Sequence, residues 1–120
     1  MSKYGNRKTT IDNITFDSAA EARRYQELKL LESAGHIRNL ELQPKYEIVP
    51  AHIRQGKRHN ARHYIADFRY QEKRIVERAN FDAATWVTVV EDVKGCKTAV
   101  YQLKKALFLW RYQHIEFRET

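Results

Sequence analysis

Residues 89–95 read VVEDVKG, a run of β-branched residues that also carries two carboxylates and one ammonium group. An ionised group that leaves water costs several kcal/mol unless it is paired or binds a metal. Because side chains alternate faces along a strand, Asp92 and Lys94 share one face, about 7 Å apart, and Glu91 lies on the other. We therefore expect Asp92 and Lys94 to meet a further charged group, and Glu91 to pair with a basic residue or to reach an edge.

Another acid stands at the end of the preceding apolar run, where Asp67 closes YIAD, residues 64–67. If the two strands are neighbours and Asp67 falls beside Asp92, two carboxylates and Lys94 meet at one point. Like charges that close raise each other's pKa unless a cation lies between them. Oxygen ligands with open water positions favour Mg²⁺ or Mn²⁺ over zinc. The pattern predicts a metal site, and a structural ion-pair network is the alternative.

Glu21 is a candidate fourth member of this group. It heads a stripe at helical spacing that continues with Tyr25, Leu28 and Leu31, so its side chain is expected to point toward the sheet. Ser18-x-x-Glu21 is also a capping box, in which the glutamate serves only to start the helix. Both interpretations remain open for Glu21.

The first half of the chain supplies elements around these residues. A hairpin is predicted over residues 8–16, with Asp12-Asn13 as the turn pair. Residues 18–35 form a helix that begins at the capping box and ends at Gly35. The extended runs 37–43 and 45–52, separated by Pro44, are expected to pair as antiparallel strands. Residues 54–62 read as a polar, basic loop.

The second half predicts strands over 63–70 and 86–94, and residues 71–85 between them fit either a hairpin extension or a short helical insertion. A second helix is predicted over about 98–112, with its core stripe formed by Val100, Leu103, Leu107 and Trp110. Residues 114–119 read as a last strand. The predicted fold class is α/β, with a central mixed β-sheet flanked by two helices and an N-terminal β-hairpin.

Composition limits the possible functions. The 120 residues, 42% of them apolar, predict one globular domain over 1–120. Twenty-two Lys and Arg against fifteen Asp and Glu give a formal charge of +7, which suits a polyanionic partner. The single cysteine, Cys96, excludes an internal disulfide and a cysteine-based zinc site. No signal peptide or membrane span is evident, so we expect a cytoplasmic protein without a membrane partner.

Several segments together resemble a known group of proteins. Asp67 in YIADF, then Asp92-Val93-Lys94 in VVEDVKG followed by a helix, resembles the PD-(D/E)XK nuclease superfamily. KYGN, ITFDSAAEARRY, LELQPKYEI and LFLWRY extend the resemblance to a family of small phage-encoded proteins of unassigned function within it. Ala66 stands where the superfamily's name has proline. The stretch 71–86 is longer than the resemblance leads us to expect.

The resemblance implies a restriction-endonuclease-like core, ordered αβββαβ, and Mg²⁺-dependent hydrolysis of DNA. Asp67, Asp92 and the backbone carbonyl of Val93 would hold the metal, with Mn²⁺ as a substitute. Lys94 would orient or deprotonate the attacking water. Glu21 would contact the metal through water or complete a second site. No organic cofactor is implied. The expected role is in phage DNA recombination, replication or packaging, on branched DNA among other substrates, in the cytoplasm of a bacterial host.

Two basic surfaces are candidate DNA contacts. The first is the segment 54–63, with Arg54, Lys57, Arg58 and Arg62, which could follow a phosphate backbone or be a solvated loop. The second is a face of the last helix that interleaves basic and aromatic residues, Lys97, Tyr101, Lys104, Phe108 and Arg111, and suits DNA or a homodimer partner. Besides a nuclease, a non-catalytic DNA-binding module and an interaction subunit with structural acids fit the sequence.

Overall fold

The computed structural model describes residues 8–78, 81–93 and 97–120. In this part of the chain a mixed sheet is accompanied by two helices and three shorter strand pairs. The elements are β1 (Thr9–Ile11), β2 (Ile14–Phe16), α1 (Ala19–Ser33), β3 (Ile37–Leu42), β4 (Lys45–Val49), β5 (His52–Arg54), β6 (Lys57–His59), β7 (Arg62–Ile65), β8 (Phe68–Arg78), β9 (Phe81–Asp92), α2 (Ala99–Arg111) and β10 (Glu116–Glu119).

The central sheet has the strand order β10-β9-β8-β3. Strand β10 is parallel to β9, whereas the β9–β8 and β8–β3 pairs are antiparallel. Alternate residues of β9 face two separate cores: Val89 packs with residues of α1, and Val90 packs with Phe108 of α2. The two helices therefore cover opposite faces, which confirms a mixed sheet flanked by helices.

Local signals in the first third of the chain are confirmed. Asp12 and Asn13, between β1 and β2, have φ of 53° and 64°, as a tight hairpin turn requires. At the start of α1, Ser18 Oγ accepts a hydrogen bond of 3.1 Å from the Glu21 N–H. Gly35 follows the helix with φ 81°, in the left-handed conformation that ends helices.

Strands β3 and β4 do not pair with each other, contrary to the prediction. Strand β3 pairs with β8, and β4 pairs with β7. A tight hairpin with a type I′ turn would need two consecutive residues with positive φ, which Pro44 cannot adopt. Instead the chain bends at Gln43, whose φ is 51°, and the Gln43 N–H donates to the Asp67 carbonyl at 2.9 Å. The segments 37–49 and 62–72 thus form one bent antiparallel pair.

Residues 71–85 belong to a long hairpin, so the hairpin extension is confirmed and the helical insertion is wrong. The register of β8 and β9 runs from Phe68 opposite Glu91 to Arg78 opposite Phe81. Strand β3 pairs only as far as Glu72, and β10 only from Val89 onward. The distal part of this hairpin therefore extends beyond both flanking strands.

Helix α2 lies where the sequence predicts it, but of the predicted core stripe only Leu107 packs against the core. Val100 and Leu103 are each 64% exposed and Trp110 is 71% exposed, whereas Phe108 is fully buried. The ring of Phe108 lies 5.0 Å from that of Tyr46 and 5.1 Å from that of Tyr64. The aromatic side of the helix faces inward because it packs on the rings of β4 and β7.

The segment 54–62, predicted as a loop, instead contains the last residue of β5, all of β6 and the first residue of β7. Its residues are polar on both faces, so the alternation that marks a half-buried strand is missing from the sequence. No helix in the described ranges is long and apolar enough to cross a membrane.

Candidate functional site

Asp67 and Asp92 meet where β8 begins and β9 ends. Because Phe68 is the register partner of Glu91, the residues one step beyond, Asp67 and Asp92, stand opposite each other. The Asp67 N–H donates to Asp92 Oδ1 at 3.0 Å, and the Val93 N–H donates to Asp67 Oδ2 at 2.7 Å. The structure thus brings together two acids that lie 25 residues apart in the chain.

The carboxylate of Asp92 is fully buried. Its Oδ2 accepts a hydrogen bond from the Tyr64 hydroxyl, and its carbonyl accepts one of 2.9 Å from the Thr120 N–H. Burial would strongly disfavour a carboxylate without such donors. Main chain and side chain of Asp92 are therefore both held in place before anything binds.

Glu21 and Asp67 line the same pocket, a cavity of about 170 Å³ next to the first turn of α1. The structure places Glu21 at the pocket, as the inward-facing interpretation expects. Its N–H donates to Ser18 Oγ in the helix cap, so the two interpretations are compatible. Gln43 lines this pocket as well, although it is not among the site residues predicted from the sequence. The available signal was a polar residue immediately before Pro44, at the point where an apolar run is interrupted.

The remaining predicted ligands can be placed only in part. Val93 directly follows Asp92, is half-buried, and engages Asp67 through its N–H. Lys94 lies outside the described residues. The described site is therefore acidic, with two locked aspartates and with Glu21 at the edge of the pocket.

The polar side chains of the pocket carry oxygen donors. Glu21, Gln43 and Asp67 line it, and Asp92 lies buried beside Asp67. Among the described residues, no three His, Cys, Asp or Glu side chains are grouped closely enough to hold a metal ion. Mg²⁺ prefers oxygen ligands, usually retains several waters and takes few protein ligands, whereas softer metals prefer sulfur.

Glu91 forms a buried ion pair with Arg24, one of the two arrangements that its position in the sequence predicts. Its carboxylate accepts hydrogen bonds from Arg24 Nε at 2.6 Å and Nη2 at 3.0 Å, from the Tyr70 hydroxyl at 2.6 Å and from the Thr120 hydroxyl at 3.1 Å. The bond to Glu91 raises the pKa of Arg24, and burial with the Glu91 bond raises the pKa of Tyr70 to about 12. These contacts fix α1, and with it Glu21, against the strand that carries Asp92.

The basic and aromatic face predicted on α2 is open only in part, since Lys97 and Arg111 are exposed and its aromatic residues are not. Phe108 is buried, and the half-buried Tyr101 donates to Glu119 Oε2 at 2.8 Å. Burial, the bond to Glu119 and the charge of Asp92 raise the pKa of Tyr101. Lys97 Nζ lies 3.6 Å from Glu119 Oε2, and Lys104 is half-buried. The prediction that Phe108 lies on the side of the helix opposite the core is wrong, because its ring is fully buried. Contacts of Lys97, Tyr101 and Lys104 with DNA stay a prediction.

The other predicted DNA contacts are all at the surface. Arg54, Lys57 and Arg58 lie on the β5–β6 hairpin and Arg62 lies on β7, and each side chain is exposed. Two histidines lie in the same segment: His59 is exposed and His63 is half-buried.

Fold and site together define a mixed α/β protein with a locked pair of aspartates at one end of its two central strands. The chain belongs to the family described as protein of unknown function (DUF1064), whose model matches residues 1–119. A search of curated proteins gave no match, and a search of solved structures gave none either.

Proposed function

We propose that this protein is a Mg²⁺-dependent DNA endonuclease with a restriction-endonuclease-like core of the PD-(D/E)XK type. The observation that supports this most directly is the reciprocal bonding of Asp67 and Asp92, in which Asp92 Oδ1 accepts the Asp67 N–H and Asp67 Oδ2 accepts the Val93 N–H. A scaffold that holds Asp67 this firmly at a cavity, with Asp92 buried beside it, is suited to positioning a cation. The basic balance of the chain suits DNA as the partner.

The proposed reaction is hydrolysis of a phosphodiester, in which a water oxygen bonds to phosphorus and the bond to the leaving oxygen breaks. When bound, Mg²⁺ would polarise the phosphate and acidify a water. Asp67, Asp92 and the Val93 carbonyl would hold the cation. Glu21 and Gln43, on the pocket wall, would orient water, and Lys94 would stabilise charge on the phosphate or receive the proton of the attacking water.

An enzyme explains the acids better than a binding module does. Carboxylates near a DNA surface repel phosphates, and a buried carboxylate such as Asp92 adds little to stability. A protein that only bound DNA would gain from neutral residues at these positions. The proposed setting is phage DNA recombination, replication or packaging, with branched DNA among the candidate substrates.

The test is incubation of the protein with plasmid and with four-way-junction DNA in Mg²⁺, Mn²⁺ or EDTA. We expect cleavage with either metal, none in EDTA, and a loss of at least 100-fold in Asp92→Asn and in Lys94→Ala. Glu77→Gln is the matched control because Glu77 is exposed on the distal hairpin, and it should cut normally. Cleavage that survives both site substitutions would overturn the proposal. Metal-independent binding without cleavage would instead favour a DNA-binding module.

A further inference from the structure

The β5–β6 hairpin is a two-stranded ribbon that stands away from both cores. In the part of the chain that the structure describes, its strands, His52–Arg54 and Lys57–His59, pair only with each other. All eight residues 52–59 are exposed. The turn residues Gln55 and Gly56 have φ of 53° and 72°, the backbone of a tight hairpin. We call residues 52–59 the basic ribbon.

Cations dominate both faces of the basic ribbon. The register pairs Arg54 with Lys57 and His52 with His59 on one face, where the two imidazole rings stack with centroids 5.0 Å apart. Arg58 lies on the other face opposite Ile53, which is 72% exposed. Within the described residues, no carboxylate forms an ion pair with Arg54, Lys57 or Arg58.

This pattern does not stabilise the ribbon itself. Like charges directly opposite each other in an antiparallel pair are destabilising, and an isolated hairpin without a core is marginal. The sequence therefore maintains a charge arrangement that the fold alone would not favour. A polyanion that runs along the ribbon would pair with these cations, so the same charges would favour binding.

We propose that the basic ribbon enters the major groove of duplex DNA and holds the duplex against the Asp67–Asp92 site. This inference rests on the proposed function for the identity of the polyanion. The major groove of B-form DNA is about 12 Å wide and admits a two-stranded ribbon. Arg54 and Lys57 at the tip reach the groove floor or its phosphates, and Arg58 contacts the neighbouring phosphate backbone.

The length of chain between the ribbon and Asp67 limits how far from the aspartates the ribbon can contact DNA. Strand β7 leads directly from the ribbon to Asp67, and ten residues separate Lys57 from Asp67. At about 3.3 Å per residue the tip lies at most about 33 Å from the aspartate. With a rise of about 3.4 Å per base pair, the ribbon contacts the duplex within about ten base pairs of the scissile phosphate.

The first test measures binding without cleavage, by fluorescence anisotropy of a labelled 30-base-pair duplex in EDTA. The ribbon variant is Arg54→Ala/Lys57→Ala/Arg58→Ala, and the matched control, Lys8→Ala/Lys29→Ala/Lys73→Ala, removes the same charge from exposed positions elsewhere. We expect the ribbon variant to bind at least 10-fold more weakly, with a salt slope about 3 units smaller, and the control to stay within 3-fold of the wild type. Unchanged thermal unfolding shows that the ribbon variant is folded.

The second test concerns the groove. A dye that occupies the major groove should displace the wild-type protein, whereas one that occupies the minor groove should not. Double-stranded RNA, whose major groove is deep and narrow, should bind at least 10-fold more weakly than DNA. Equal binding to both duplexes, or equal loss in the ribbon variant and the control, would overturn the proposal.

The two proposals can fail separately. If the wild-type protein cuts no DNA while the ribbon variant loses binding, the nuclease proposal falls and the ribbon proposal stands. If the protein cuts DNA and the ribbon variant binds as tightly as the wild type, only the ribbon proposal falls. Footprinting of the Asp92→Asn protein locates the protected base pairs on the duplex. If all of them lie more than about twelve base pairs from the site that the wild type cleaves, the ribbon contact is farther from the aspartates than β7 allows.

Discussion

Asp67 and Asp92 hold each other in place through the main chain: the Asp67 N–H donates to Asp92 Oδ1 at 3.0 Å, and the N–H following Asp92 donates to Asp67 Oδ2 at 2.7 Å. Displacement of either strand end would break both bonds at once. The pair is thus positioned by the antiparallel register of β8 and β9 and does not depend on a flexible loop. Preorganisation of this kind is what a cation-binding site requires.

The hydroxyl of Tyr64 completes the shell around the buried Asp92. Tyr64→Phe removes this donor but keeps the ring that packs on Phe108. We expect the free energy of unfolding to fall by about 1–3 kcal/mol, because a buried carboxylate loses a hydrogen bond. Chemical denaturation at pH 7 measures it.

Tyr112→Phe is the control for Tyr64→Phe. Tyr112 belongs to the same aromatic cluster, and its hydroxyl donates to the Glu47 carbonyl at 2.9 Å. Loss of a neutral bond at a half-buried position should cost no more than about 1 kcal/mol. Equal losses in the two variants would show that the Asp92 carboxylate does not depend on Tyr64.

The ion pair of Arg24 and Glu91 joins α1 to strand β9 of the sheet. Glu91 is fully buried, and Arg24 is 20% exposed at its side chain. Arg24→Met leaves a buried carboxylate without its cation and should cost about 3–5 kcal/mol. The double variant Arg24→Met/Glu91→Met should be more stable than Arg24→Met alone, since no uncompensated charge remains. Strictly additive losses in this cycle would contradict the coupling.

The orientation of α2 gives a direct contrast between two positions on one helix. Phe108 is fully buried, and Leu103 is 64% exposed. Phe108→Ala should lower the free energy of unfolding by about 3–5 kcal/mol through the cavity it leaves. Leu103→Ala should change it by no more than about 0.5 kcal/mol. The core stripe predicted from the sequence, which includes Leu103, implies the larger loss for Leu103→Ala. If Leu103→Ala destabilised the protein more than Phe108→Ala, the helix would have to be rotated about its axis.

Signals that act within a few residues were readable from the sequence. The Asp12-Asn13 turn, the Ser18 cap and the Gly35 stop depend on backbone preferences of the residues themselves. The proximity of Asp67 and Asp92 was also predictable. Each stands near the end of an apolar run, and successive strands tend to be neighbours in a sheet.

Features that depend on tertiary packing could not be predicted from the sequence. Helix α2 carries two apolar stripes, one through Leu103 and one through Phe108, and periodicity alone does not rank them. The rings of Tyr46 and Tyr64 determine which stripe is buried, because they pack on Phe108. Both rings come from strands that are distant in the sequence. Similarly, nothing local to Pro44 reveals that β3 and β4 take β8 and β7 as their partners.

A network on the sheet gives a pH dependence of stability. The bond from Arg118 lowers the pKa of Glu72 below its ordinary value of 4.5, and the bond from Arg74 does the same for Glu116. A carboxylate with a lowered pKa in the folded state stabilises the fold above pH 4.5, and this contribution is lost as the pH falls through the folded-state value. We expect the melting temperature to decrease on acidification below about pH 4.5.

The variant Glu72→Gln/Glu116→Gln should melt below the wild type at pH 7, and the difference should shrink toward pH 3. High salt should reduce it too, since both carboxylates are partly exposed. Glu77→Gln, at an exposed position, should follow the wild-type profile. A constant difference at all pH values would exclude the two carboxylates as its source.

Glu21 and Gln43 share the pocket wall with Asp67, and their proposed role is to orient water there. Glu21→Gln separates this role from helix capping, because glutamine also serves at the third position of a capping box. If the carboxylate acts in the pocket, Glu21→Gln should lower cleavage by about 10–100-fold while the free energy of unfolding changes by less than about 0.5 kcal/mol. Gln43→Ala should act in the same direction, whereas Gln26→Ala, at an exposed position of α1, should cleave normally. Full cleavage by Glu21→Gln would mean that Glu21 only starts the helix.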